Sequence, residues 1–429
     1  MLEGDDVAKR GNDGRSRRAR RGAVALAATV ATGALVVLAG PRLVPGTMLA
    51  GRVTEALSAA TGAEVTVEQA RLTLVGGPGL QVRGAHLQRT GAYDVRLERA
   101  DVSLATWPLV SRRFVIDAVR ARGASATADW RGRPLTLAGF ELKARGLDYV
   151  LPVQGAAAAN VGTMRAPLVP PGLDGDVSLA LGQGTWSSFT VADLSLQATL
   201  DKGTVILRSL SCRTAGGAVS ATGAWDPAAS GGPVVEGVVR LDGVDARALL
   251  QPWAPEVASQ LEARVTGEAE LACSPGDATR LLSTLQGKGS LRAGQGVLRA
   301  GPWLAEAKPY LGERQDLVDI RFDSLRHAFH VGGGAFTADT LALRGPDTDW
   351  DLAGTLGFDG NADLGVHLRL PPEFVPNLGS MTMYVMALRD AQKRVNLDIT
   401  LRGPLADPVV GLDFAAMARR LAKPGGAGN

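Results

Sequence analysis

The chain has 429 residues, 45% apolar, 5% aromatic and 21% charged, with 54 glycines, 23 prolines, two cysteines and four histidines. A net charge of +3 does not mark a nucleic-acid binder, and two distant cysteines, Cys212 and Cys273, make no disulfide framework. So much Gly and Pro favours many short elements joined by turns over a few long helices.

The basic charge is gathered at the start. Lys9, Arg10, Arg15, Arg17, Arg18, Arg20 and Arg21 precede "GAVALAATVATGALVVLAG", residues 22–40, which carries no charge. As a helix this stretch spans roughly 28 Å, against about 30 Å for a hydrocarbon core. It predicts a transmembrane helix over 22–44, with Ala23, Leu26, Val30, Leu35, Val36 and Leu38 in the bilayer. Arg17, Arg18, Arg20 and Arg21 hold the leader, 1–21, in the cytoplasm. The competing reading is a cleaved signal peptide ending at Ala39, against which stand the long basic leader and Pro41. Both readings place the body outside the cytoplasm.

Beyond the span, Leu49, Val53, Ala56, Leu57 and Ala60 fall at helical spacing, with Gly62 as the stop. The period then changes to two. Val65/Val67, Leu72/Leu74, Leu80/Val82, Val95/Leu97 and Val102/Leu104 alternate with polar residues. The parity slip between Leu97 and Val102 predicts a bulge or a turn. The same texture recurs at 194–200, 219–225, 265–273, 350–358 and 364–370, each run ending in Gly, Pro, Asp or Asn. This pattern predicts an extensive antiparallel sheet. Helical interruptions are expected at Asp245–Leu261, split or kinked by Pro252 and Pro255, near Asp277, and at Pro302–Leu311. "RAPLVPPGLDG" separates a front half, 45–170, from a back half, 171–415.

A search for chemistry finds no constellation. His327 and His330 sit in an alternating segment, and strand residues three apart face opposite ways, so they should not share a metal. His86 is isolated, and His367 fits the exposed face of its strand. Asp347, Asp349 and Asp351 share a face, which fits either a calcium site or simply the wet side of a sheet. No zinc-ligand spacing, phosphate loop or hydrolase elbow is present, so neither an enzyme nor a cofactor is expected.

About twenty strands with few helices must hide an apolar face by folding into a sandwich or by curling around a guest. Beside a bilayer, acyl chains are the natural guest, and alternation alone does not choose between the two. Candidate lining residues are Val265, Leu271, Leu352, Leu356, Phe358, Val366 and Leu368. Met381, Met383 and Met386 offer either a soft apolar surface or core packing.

The order of these features resembles a known family. "ALSAATGAEVTVEQARLTLVGGPGLQVRGAHL" and "ERADVSLATWPLVSRRFVIDAVRARGASATADWRG" are similar to the opening of AsmA-like proteins. "LQGKGSLRAGQGVLRAG", "DIRFDSLRHAFHVGGGAFTADTLALRGPDTDWDLAGTLGFDGNADLGVHLRL" and "ITLRGPLADPVVGLDF" resemble the AsmA C-terminal region. The resemblance implies a bacterial inner-membrane protein with a periplasmic body, a mainly β, curled antiparallel groove that binds phospholipid acyl chains. Its implied role is phospholipid transport, outer-membrane biogenesis and homeostasis, without catalysis. The family has no motif of functional residues to carry over. A sheet of about twenty strands is roughly 95 Å long, which leaves room for an envelope protein partner in crossing the periplasm. The alternative is a non-catalytic periplasmic scaffold that affects outer-membrane protein assembly or targeting through edge-strand pairing. The basic tail, 416–429, is expected to be solvated, with an anionic membrane surface as the other reading for its apolar face.

Overall fold

The computed structural model describes residues 46–73, 78–89, 92–105, 114–130, 133–149, 174–227, 234–252, 255–275, 278–299, 319–376, 388–404 and 407–421. Among them, no helix is long and apolar enough to cross a membrane. The span at 22–44, the helix at 302–311, Met381, Met383 and Met386 all lie outside the described residues. So does the boundary at 170.

The chain is mainly antiparallel β, with nineteen strands assigned to one sheet and a few short helices. It divides into two compact units. The first runs to Cys212 and takes in Gly223–Ala229, and the second holds Arg213–Thr222 and the chain from Ser230 onward.

The first unit opens with α1 (Gly46–Thr61), which ends at Gly62 in the left-handed region. The strands follow as β1 (Glu64–Thr73), β2 (Gly79–Arg89), β3 (Tyr93–Leu104), β4 (Phe114–Trp130), β5 (Arg133–Tyr149), β6 (Asp174–Trp186) and β7 (Phe189–Asp201). Each pairs antiparallel with the next. Leu49, Val53 and Leu57 bury the apolar stripe of α1 against Val65, Ala70 and Leu80, which fixes the helix on β1.

The slip at Leu97 recurs in every one of these strands. Inward positions run Val65, Val67 then Ala70 in β1, Leu80, Val82 then Ala85 in β2, and Val95, Leu97 then Ala100 in β3. The same one-residue advance falls at Ala121–Ala124, Leu137–Phe140, Leu181–Gly184 and Val191–Leu194. Gly84 and Gly123 occupy it with φ of 61° and 65°, a conformation glycine adopts without strain. An extra residue bends its strand and raises the local twist. In register the slips share one level over β1–β4 and fall one row further along over β5–β7, so they form a stepped crease across the unit.

β8 (Thr204–Thr214) and β9 (Gly217–Asp226) contribute residues to both units. The second unit continues with β10 (Val234–Asp245), α2 (Ala246–Leu250), α3 (Pro255–Gln260), β11 (Leu261–Cys273), α4 (Ala278–Thr284) and β12 (Gln286–Arg299). It ends with β13 (Asp319–Phe322), β14 (Ser324–Gly332), β15 (Ala335–Arg344), β16 (Asp349–Gly357), β17 (Asn361–Leu370), β18 (Val395–Pro404), β19 (Val409–Leu412) and α5 (Phe414–Leu421). The helix expected over 245–261 is split as its prolines require. The Asp245 carboxylate caps α2 through the Ala248 N–H at 2.9 Å, and Pro255 is the first residue of α3.

One core serves this unit. Leu343, Trp350, Leu368, Leu370, Leu397 and Ile399 are almost wholly buried, with Phe374 and Leu388 packed against them. The tail is a correction to the sequence reading: α5 is a helix capped by the Asp413 carboxylate, which accepts from the Ala416 N–H at 2.8 Å. Its Met417 is buried in the core, so the stretch up to Leu421 is docked and not a solvated tail.

Candidate functional site

Residues directly opposite in an antiparallel ladder share a face. One row of the first unit is therefore Val82, Ala100, Ala121, Leu142, Leu179 and Leu196, carried across β2 to β7. The next row is Ala85, Leu97, Ala124, Phe140, Leu181 and Leu194. A third joins Leu87, Val95, Ala126, Leu137, Gly184 and Val191. The result is a continuous apolar face six strands wide.

Most of this face is only partly buried. Val95, Leu97, Leu137, Phe140, Leu142, Leu179, Leu194 and Leu196 all keep some exposure. Along β4 the inward residues Ala121, Ala124, Ala126 and Ala128 are all alanine, which leaves the middle of the face shallow. The described helices leave most of it uncovered: α1 packs on β1 and reaches Val82 and Leu87 at the β2 end, α2 to α4 pack on β10 to β12, and α5 on β18. An apolar face of this extent usually marks a binding surface.

The predicted lining residues of the second unit are distributed differently. Leu352 faces Val366, and Leu368 follows two positions on, so the structure brings these three together. They belong to, or pack against, the closed core: Val366 is 3% and Leu368 0% exposed. Val265 also joins that core, from β11. Leu271 lies six residues further along β11 and is partly exposed, opposite Gly237 and Gly287. Leu356 faces Phe336 and Ala362 and is partly exposed, and Phe358 is 38% exposed beyond the strand. Leu142, Leu179 and Leu196 were missed as lining residues. The alternation at Leu194–Leu200 was visible, and "DVSLAL" repeats it, but their alignment with β5 depends on register.

The polar residues have structural tasks. His327 is buried on the apolar side of β14, stacked 5.4 Å from Phe329 and close to Phe336, whereas His330 on the other face is exposed. Burial lowers the His327 pKa below its ordinary value, against the raising effects of the Thr340 carbonyl and Asp339. His367 is a correction: it is not exposed but nearly buried opposite Asp398, with Nδ1 2.9 Å from the carboxylate.

Asp349 departs from the wet-face reading, being 8% exposed, and both Asp349 and Asp351 meet arginines. Asp349 lies 2.9 Å from Arg394 and 3.5 Å from Arg369, and Asp351 pairs with Arg344 and Arg369. Their charge is matched by arginine, and among the described residues no group of three metal-ligating side chains is found. Both cysteines are free thiols, and burial raises the pKa of Cys212.

Comparison with family models, with curated proteins and with solved structures finds no match for this chain.

Proposed function

We propose that this is an AsmA-like protein, anchored in the bacterial inner membrane with its body in the periplasm, that holds phospholipid acyl chains against an open apolar sheet. In this role it serves phospholipid transport and outer-membrane homeostasis without catalysis. One observation carries the reading: the apolar rows run across β2 to β7 and stay mostly partly exposed, with α1 covering only their β2 end and the other described helices packed on strands of the second unit. Water is a poor neighbour for such a surface, and each methylene laid on it contributes about 0.8 kcal/mol. The stepped crease fits the same reading, because bending every strand at one of two adjoining levels curls the sheet toward a trough. The alanine strip on β4 leaves depth for a hydrocarbon tail.

On this reading the lipid site lies mainly in the first unit, with Leu142, Leu179 and Leu196 at its centre. Val366 and Leu368 support the core of the second unit instead. The test is cross-linking with a phospholipid that carries a photoactivatable acyl chain, applied to the full chain in detergent. Label is expected on inward residues of β5 to β7. Label confined to the opposite faces of those strands, or none at all, rejects the lipid trough and leaves the scaffold alternative.

A further inference from the structure

The apolar face of the second unit carries one ionisable side chain in its strand register. The row through Leu291, His327, Leu341, Leu352, Val366 and Ile399 crosses β12 and β14 to β18. The rows on either side of it, through Phe329 and through Leu325, hold only apolar residues and glycine from β10 to β18, as does the row through Phe336. His327 has a structural task that occupies one nitrogen. Its Nδ1 lies 3.1 Å from the Thr340 carbonyl, beside the slip of β15 between Ala338 and Leu341. A carbonyl only accepts, so Nδ1 carries the ring's proton. Burial lowers the pKa of the ring and keeps it neutral near about pH 7. That leaves Nε2 as a bare acceptor, and no described residue bonds it.

The surroundings say what such an acceptor meets. The His327 side chain is 9% exposed, with the rings of Phe329 and Phe336 each 5.4 Å away. Leu291 and Leu341, directly opposite it on the two neighbouring strands, stay partly exposed. So do Phe336 and Leu356, which face each other nearer the hairpin ends, where Phe358 is exposed. A hydrocarbon body finds apolar contact on all these residues, and only a group bearing an acidic O–H or N–H satisfies Nε2. Phosphodiester and ester oxygens accept only, so the linkage region of a diacyl phospholipid offers no match. A carboxyl group matches in either state: it donates its proton to Nε2, or yields the proton and accepts from the imidazolium. The carboxylate that acts on the ring, Asp339, bonds His330 at 2.9 Å, and His330 belongs to the opposite face.

We propose that the apolar face of the second unit binds a long-chain fatty acid, with its carboxyl group on Nε2 of His327 and its tail across Phe336 and Leu356. This site is separate from the acyl-chain face of the first unit and does not rest on it.

The test is binding of tritiated palmitic acid, methyl palmitate and hexadecanol to the full chain in detergent, by scintillation proximity. The three probes share one hydrocarbon body. Palmitic acid should bind about ten-fold tighter than methyl palmitate, the worth of one hydrogen bond of this kind. His327→Leu should abolish that preference and retain the ester, with a circular dichroism melt to show that the variant folds. Palmitic acid carrying a terminal diazirine should label β15 and β16 of the unmutated chain, a readout that needs no variant. Equal affinity for acid and ester overturns the proposal, and so does a preference that survives His327→Leu. Label confined to the first unit overturns it as well. Hexadecanol bound as tightly as the acid reassigns the site to alcohols and overturns it too. Failure of the phospholipid cross-link on β5 to β7 leaves an acid preference at His327 standing, so the two sites fail separately.

Discussion

Leu179→Asp and Leu368→Asp place the same carboxylate on two apolar faces that differ in what covers them. Leu368 is 0% exposed in the core of the second unit, between Trp350 and Leu397. Its replacement loses roughly 2–3 kcal/mol of side-chain burial. The carboxylate left without a partner adds several kcal/mol more, for a total above about 5 kcal/mol. That is a large fraction of the roughly 5–15 kcal/mol typical of a domain. Leu179 is only partly exposed, and its neighbours Leu142 and Leu196 share that condition. An aspartate there can turn to water, so the loss should be about 1–2 kcal/mol, mainly from reduced burial and strand preference. Urea unfolding followed by circular dichroism reads the stability, and native mass spectrometry of the purified chain reads bound phospholipid. Leu179→Asp should stay folded and lose lipid; Leu368→Asp should unfold. If Leu179→Asp unfolds to the same degree, the first unit's face is closed and dry, and the reasoning fails.

Three further outcomes follow from particular contacts. His327 should make stability depend on pH: its folded pKa is depressed, so the unfolded chain binds the proton first and stability falls as pH drops below about 6.5. Replacing it with leucine should flatten that part of the profile between about pH 7 and 5 in thermal melts, and an unchanged slope would count against its buried state. Arg394→Ala should cost about 3 kcal/mol in urea, because Asp349 keeps only Arg369 at 3.5 Å, and Arg394→Ala/Asp349→Ala should recover part of it. Gly123→Ala should cost about 1–2 kcal/mol from its left-handed backbone, with a further loss from collision with Glu98 that Glu98→Ala relieves. An equal Gly123→Ala loss with Glu98 present and with Glu98→Ala would show that the carboxylate does not lie over the glycine.

Alternation was enough to read many of the strands, because a half-buried strand repeats with period two. It also exposed the slip after Leu97, since two rows of opposite parity in one strand need an extra residue. What it concealed was coverage. The rows around Leu142 and around Leu368 look alike in sequence, yet one is partly open and the other sealed by Phe374, Leu388 and α5. Those covering residues follow no period. His367 misled for the same reason, as its partner Asp398 lies 31 positions away, and nothing near it in sequence signals burial. Arg394 stands 45 positions from Asp349, so the pairing that answers the calcium reading is invisible without register.

The shared slip also bears on how such a chain can change size. Because the strands of the first unit share their slip with the neighbours on either side, apart from one step between β4 and β5, a copied hairpin bearing its own slip at its neighbours' level fits between them without turning any of their side chains over. Each added pair lengthens the sheet by about 10 Å and leaves its cross-section as it was. Reach and bore are thus set by separate features of the sequence, one by the number of hairpins and the other by where each is bent.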